Sequence, residues 1–215
     1  MEEALLKPVG RRQQQSKAET RSLILDSARS LFEEKGYEKT TMRKVAIGAG
    51  IGLGTIFKHF PGKSALLSAA FYDDMDEEMR SAFQEVPDQA PVEQQLLHVF
   101  GCFYRYYARR PALSRVLLQK HLFVEDDEWG RRLAGQLLFL INRLTELLQT
   151  AQGRGDLGPE VSCQAAAYTL YAQYLFTLVA CLTFPPFDPD EALSMLEILV
   201  QQLMQGMGKG DPLER

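Results

Sequence analysis

Residues 161–187 contain no charged side chain. A run of that length has two physical solutions. It crosses a membrane as an apolar helix, or it is buried on more than one side, because a helix without a charged face has no natural solvent face. Ser162, Gln164, Thr169, Gln173, Thr177 and three tyrosines interrupt the apolar pattern, and Pro185-Pro186 closes it. Membrane spans of this length are normally far more apolar. The segment is therefore expected to be a soluble core helix over 160–183, with no membrane partner. Its second buried side comes from a larger helical bundle or from a second subunit.

The rest of the chain reads as helix too. Strand-type alternation is absent and apolar stripes of period 3.6 recur. Residues 1–15 are polar and aperiodic, and are expected to form a flexible basic arm. Ser16-Lys-Ala-Glu19 has the spacing of a capping box, which places the first helix start at Ser16. Ile24, Ala28, Leu31 and Phe32 form its apolar face, and Gly36 ends it. Thr41 is the natural N-cap of a short second helix. A third short helix runs to about His59, and Pro61-Gly62-Lys63 opens a longer fourth. Pro87, Pro91 and Pro111 punctuate the helices that follow, and another starts near Trp129. Pro159 is expected as the first residue of the uncharged helix. Asp188-Pro-Asp-Glu191 caps the last one.

Charge is unevenly spread. The chain carries a net charge of −4, yet Arg11–Lys63 holds 11 Lys/Arg against 5 Asp/Glu, a local charge of +6. From Ser64 onward there are 12 against 21, a local charge of −9. A basic N-terminal quarter on an acidic body points to a polyanion-binding module joined to something that is not one. Cys102, Cys163 and Cys181 are odd in number and widely spaced, without Cys-x-x-Cys or a partnering His pattern. Neither a disulfide framework nor a zinc site is expected. The N-terminus lacks a signal-peptide apolar core, so a cytoplasmic location is expected. His98 and His121 have no ligand-spaced partners, and no nucleophile elbow or phosphate loop is present. No enzyme, metal or cofactor is expected.

The informative stretch is Thr41 to Phe60. Ala46 is small where two helices must approach closely, and Gly50 can take the positive φ of a tight turn. Ile51 and Ile56 pack inward. Thr55, Phe57, Lys58 and His59 then remain outward on the third helix, with Gly54 near its start. Such a helix can enter the major groove of DNA. An ordinary helical hairpin also satisfies Ala-x-x-x-Gly. The local positive charge, the capped preceding helix and Lys63 at the start of the next one favour the DNA-binding reading.

Here the chain resembles a known family. Thr20–Tyr37 resembles the first helix of the TetR family of transcriptional regulators, Thr40–Ala46 the second, and Gly54–Leu67 the recognition helix and the entry to helix four. The resemblance covers about residues 20–71. It implies an all-α fold, with a three-helix helix-turn-helix domain at 16–64 and a larger ligand-binding and dimerisation domain at 65–215. It implies a repressor that leaves a palindromic double-stranded DNA operator when a small molecule binds. The DNA contacts it implies are Thr41, Arg43, Gly54, Thr55, Phe57, Lys58, His59 and Lys63. Phe57 stands where the family often has Tyr. Gly52 and Leu53 stand where it commonly has Ser or Thr and then Lys. Leu53 is expected to touch a thymine methyl instead, and the basic arm, with Lys7, Arg11, Arg12, Lys17 and Arg21, to supply charge in the minor groove.

The resemblance also implies a homodimer, through helices at about 160–183 and 189–207. Aromatics gather in the C-terminal part. Phe100, Phe103, Tyr104, Tyr107, Trp129, Phe139, Tyr168 and Tyr171 are candidate walls of a pocket for a lipophilic or aromatic effector, or else ordinary core. Two other functional classes fit the composition: an all-helical enzyme or carrier, and a regulator switched by thiol oxidation or a protein partner.

Overall fold

The computed structural model describes residues 8–122 and 128–207. Lys7 and the side chains of Arg11, Arg12, His121 and Trp129, all named above, lie outside that set. The described residues form helices α1 (Pro8–Lys39), α2 (Met42–Gly48), α3 (Leu53–His59), α4 (Lys63–Gln84), α5 (Val92–Ala108), α6 (Pro111–Leu122), α7 (Glu128–Arg154), α8 (Cys163–Thr183) and α9 (Pro189–Met207). The fold is all-α with an N-terminal helix-turn-helix, as expected. Two compact units divide at Asp73/Asp74, inside α4 and later than the 64/65 boundary read from the sequence.

Two helix starts differ from the sequence reading. α1 begins at Pro8, so residues 8–15 are helical and not a flexible arm. Gln and Arg are good helix formers, and that propensity outweighs the missing apolar stripe. Ser16 lies inside the helix, its carbonyl accepting from Thr20 Oγ1 at 2.8 Å, so it is not a cap. α8 starts at Cys163, capped by Ser162, whose hydroxyl accepts from Ala165 N at 3.4 Å. Pro159 therefore lies in the preceding loop. Two other caps are where the sequence puts them. Thr41 accepts from Lys44 N at 3.3 Å, and Asp188 Oδ1 accepts from Asp190 N at 2.9 Å.

In the first unit, Ile24, Ala28 and Phe32 of α1 pack with Val45 and Ala46, Ile56 and Phe60, and Leu66, Leu67 and Ala70 as fully or nearly fully buried side chains. Helix α1 breaks at Gly36, where φ is 75°. Thr40, fully buried, brings its hydroxyl within 2.9 Å of the Gly36 carbonyl and 3.0 Å of the Leu31 carbonyl. Ser27 Oγ donates to the Val45 carbonyl at 3.1 Å, joining α1 to α2. A Cβ on Gly48 would stand 2.4 Å from that hydroxyl, so glycine is what permits the close approach.

The corner after α2 is a Schellman motif. Gly50 N donates to the Ile47 carbonyl at 3.1 Å and Ile51 N to the Ala46 carbonyl at 2.9 Å, with Gly50 at φ 67°. This corner aims α3. Ile51 is half-buried and Ile56 fully buried, anchoring α3 from within.

In the second unit, α5 packs on α9, and α8 lies against α7 and α9. The core centres on Phe100, Phe103, Tyr104 and Tyr174. Tyr174 stacks on Phe100 with ring centroids 4.9 Å apart. The hydroxyls of Tyr104 and Thr177 pair inside the core. Gln152 ties down the α7–α8 loop, its amide donating to the Gly158 carbonyl at 2.8 Å and the Val161 carbonyl at 3.0 Å.

Gly50→Ala places a Cβ in the left-handed region and should cost about 1–2 kcal/mol. Urea unfolding monitored in the first unit is expected to show it, whereas Gly54→Ala should leave stability nearly unchanged, since nothing lies within 4 Å of its Cβ position.

Candidate functional site

The first candidate site is the outer face of the helix-turn-helix. Its short recognition helix is held from behind by Ile56 and Phe60. The side chains of Phe57 and Lys58 stand exposed, and Thr55 and His59 half-exposed. Arg43 and Thr41, on and before α2, are exposed too. Gly54 is exposed with open space around its Cβ position. No packing within the chain requires glycine there, so its backbone is bare for the approach of another molecule.

Positive charge gathers beside α3. The His59 pKa is lowered from its ordinary value by partial burial first, and then by the charges of Lys17 and Arg21. Arg21 holds its guanidinium over the Phe60 ring at 5.3 Å. These two α1 cations therefore act at the recognition helix, from within a helix and not from a loose arm.

Lys63 has a different place from the one the sequence suggests. Its ammonium donates to the Tyr37 carbonyl at 2.9 Å and lies 4.0 Å from the centre of the Tyr37 ring. It fastens the start of α4 to the end of α1. Lys44 is likewise tied to the Lys39 carbonyl at 2.8 Å. The sequence reading missed Ile47, an apolar side chain left 71% exposed on α2. With Leu53 and Phe57 it makes the exposed surface of this unit partly apolar. A large aliphatic at a position that helical phase turns outward was the available signal.

The second candidate site is a cavity of about 230 Å³ in the second unit. Met75 and Met79 of α4, Phe103 and Tyr107 of α5, Leu118 of α6, Leu133, Ala134, Gln136, Leu137 and Leu140 of α7, and Tyr171, Tyr174, Leu175 and Leu178 of α8 line it. Of the predicted wall, Phe103, Tyr107 and Tyr171 are there. Phe100 and Tyr104 are fully buried in the core and do not line it. Phe139 does not line it either. It meets Phe83 edge-on at 6.3 Å, because it falls off the apolar stripe of α7 that Leu140 continues. Tyr168 stands 51% exposed on another face of α8. Trp129 lies outside the described side chains.

The cavity is apolar with few polar groups. Burial raises the pKa of Tyr171, and pushes those of Tyr107 and Tyr174 well up. All three phenols stay protonated at neutral pH and act as neutral hydrogen-bonding groups. Gln136 supplies a buried amide, which the sequence reading missed.

A third feature is the unburied apolar surface of α8 and α9. Tyr168, Phe176 at 62%, Val179, Met195 and Ile198 are exposed, as is Phe184 just beyond α8. By length and composition α8 could cross a membrane, yet Leu170, Tyr174, Leu178 and Leu182 are buried in the second unit. Cys102 is half-buried on α5, with Arg105 Nη2 at 3.2 Å and His98 Nε2 at 4.0 Å from its sulfur.

Residues 24–70 match the family described as "Bacterial regulatory proteins, tetR family". Over 186 residues the chain is 29% identical to the HTH-type transcriptional repressor KstR of Rhodococcus jostii, covering 86% of this chain and 83% of that protein. Over 168 residues it is 28% identical to the HTH-type transcriptional regulator TtgR of Pseudomonas putida, covering 75% of this chain and 80% of that one. Among solved structures, Thermus thermophilus FadR, a TetR-family repressor in complex with lauroyl-CoA, matches with a TM-score of 0.70 at 22% identity, over 91% of this chain and 98% of its own. Bacillus subtilis FadR in complex with stearoyl-CoA matches at 0.62 and 18% identity, over 88% and 98%. At these identities the structural likeness establishes the fold.

The Lys63 contacts predict a split between stability and binding. Lys63→Ala should lower the unfolding free energy by about 1 kcal/mol, the scale of a cation–π contact plus a charged hydrogen bond at a half-exposed site. Lys58→Ala should leave the melting temperature unchanged. Paired thermal melts of the two variants check this.

Proposed function

We propose that the chain is a TetR-family regulator and a homodimeric repressor, seated on a palindromic operator by α3 of each protomer and released when a lipophilic small molecule enters the second unit. The observation that carries this reading is the geometry of the first unit. A Gly50 corner fixes a short helix whose inner side is core and whose outer side offers Thr55, Phe57 and Lys58 beside a cluster of cations. Thr55 and Lys58 take bases or nearby phosphates. Arg43 and Thr41 take the backbone, and His59 lies against it. The bare backbone at Gly54 allows close approach. Leu53, Phe57 and Ile47 present apolar surface suited to thymine methyl groups. Lys63 acts through the fold, holding α4 on α1. Lys17 and Arg21 supply the phosphate-facing charge that Gly52 and Leu53 lack.

The effector reading rests on the cavity. Its apolar walls, neutral phenols and single buried amide suit an acyl chain or a ring system. The FadR proteins of similar fold hold acyl-CoA molecules. α4 carries Leu66 and Leu67 in the first core and Met75 and Met79 in the cavity wall. A ligand that displaces those methionines acts on the helix that also holds the DNA-reading unit together. Release then follows as a population shift.

The dimer reading rests on α8 and α9. Phe176, Tyr168 and Ile198 form apolar surface that a second copy would cover, with the uncharged α8 gaining its second buried side.

Selection of bound sequences from a random DNA pool tests the reading as a whole. A palindromic consensus is expected, and no enrichment would overturn it. Affinity should fall with salt, and each lost phosphate contact, as in Lys58→Ala, should reduce the log–log slope by about 0.9.

His59 gives a pH dependence whose sign is fixed. In the free protein its pKa lies below 6.5, so it is largely neutral at pH 7. A phosphate beside it raises that pKa, so DNA binding takes up a proton. Affinity should therefore rise as pH falls from 7 through the free-state value, and His59→Gln should flatten the profile.

Phe176→Asp places a charge at the centre of the proposed interface. It should weaken the dimer by about 2 kcal/mol or more, the scale of an interface hot spot, visible as monomer in sedimentation at micromolar concentration.

A further inference from the structure

A second cavity of about 310 Å³ adjoins the first. Arg115, Leu118 and Gln119 of α6 and Val179, Leu182 and Thr183 of α8 line it. Leu118 is a wall of both cavities. The first is apolar, and the second is built around a guanidinium.

Arg115 is held in place and left incomplete. Its Nε donates to the Leu182 carbonyl, which fixes the plane of the head group between α6 and α8. Its Nη2 is buried and has no hydrogen-bond partner. A buried charged donor without an acceptor is costly, more so than a neutral one. No acidic side chain is among the described residues lining either cavity. The cavity that Arg115 lines offers its guanidinium no acidic partner among the described lining residues, and the fitting acceptor for an arginine is an oxyanion.

We propose that Arg115 is the anchor for the anionic head group of an amphiphilic effector, whose apolar body passes Leu118 into the first cavity. The effector class is then a lipophilic acid, a carboxylate or phosphate on an alkyl or ring body, and not a neutral hydrocarbon. This rests on the reading of the first cavity as the effector site. Arg115 sets specificity for the head group. The apolar walls set affinity for the body. Val179 and Thr183 stand on the exposed side of α8, so this cavity opens beside the surface assigned to the dimer. A carboxylate from a second copy is the competing acceptor.

Titration calorimetry on the full-length chain decides, with dodecanoate, dodecyl phosphate and 1-dodecanol as probes. One of the two anions is expected to bind at least tenfold more tightly than the alcohol, and which one it is identifies the head group. Arg115→Gln should abolish that preference while leaving dodecanol affinity and the melting curve of the dimer nearly unchanged. Arg115→Lys should restore part of it. Leu178→Trp, which fills the first cavity, should weaken all three probes. If dodecanol binds as tightly as the acids to the wild type, the Arg115 proposal falls and the cavity reading stands. If no probe binds, both fall. If Arg115→Gln dissociates the dimer and leaves the anion preference intact, Arg115 is an interface residue and the proposal is overturned.

Discussion

The hydroxyls of Tyr104 and Thr177 meet in the middle of the second unit, both fully buried. Two buried hydroxyls must satisfy each other or find other partners, because an unpaired one costs on the order of 1–3 kcal/mol. Thr177 also reaches the Tyr174 carbonyl at 2.9 Å, and Tyr174 stacks on Phe100. Together these contacts fix the rotation of α8 about its own axis. That rotation matters more for α8 than for any neighbour. A helix without a charged side chain has no polar face to orient it, so only specific packing can. Once it is set, Tyr171, Leu175 and Leu178 face the cavity, and Tyr168, Phe176 and Val179 face outward. The cavity wall and the exposed apolar face of α8 are two consequences of one buried contact.

The first unit depends on a different device. Its core is small, and the position of α3 rests on backbone geometry as much as on apolar burial. Gly48 lets α2 lie close to α1, Gly50 turns the chain, Thr40 closes the end of α1 on itself, and Lys63 ties the start of α4 to it. The cations that remain on the surface are drawn from α1 as well as α3. This explains how a helix with Gly52 and Leu53 at its start can still carry a positive field, and these charges add to partial burial in holding His59 toward its neutral form.

Sequence legibility followed the periodic signal. Helix order, the Thr41 and Asp188 caps, the Gly50 corner and the outward residues of α3 were all readable, because each is set by residues within a few positions. The start of α1 was not, since a polar Gln/Arg stretch has helical propensity without an apolar stripe. The partner of Lys63 was not either: the Tyr37 carbonyl is distant in sequence, and nothing local distinguishes an ammonium that reaches inward from one that reaches out. The aromatics show the limit most clearly. Tyr168 and Tyr171 are three residues apart on α8, yet one is exposed and the other lines the cavity. With no polar face, periodicity could not separate them. Phe139 was separable, because it leaves the Leu133–Leu137–Leu140–Leu144 stripe.

The chemistry of the cavity narrows what can act as a signal. Tyr107 and Tyr174 are so deeply desolvated that neither can ionise near neutral pH. The walls therefore cannot balance a cationic ligand by ionising, and they reward apolar contact instead. A charged effector must keep its charge outside this chamber, where a fixed cation or water receives it. The apolar chamber and the space around Arg115 share Leu118 of α6 as a common wall. That arrangement separates the two halves of an amphiphile. On the proposed reading, burial of the tail supplies affinity and Arg115 selects the head group.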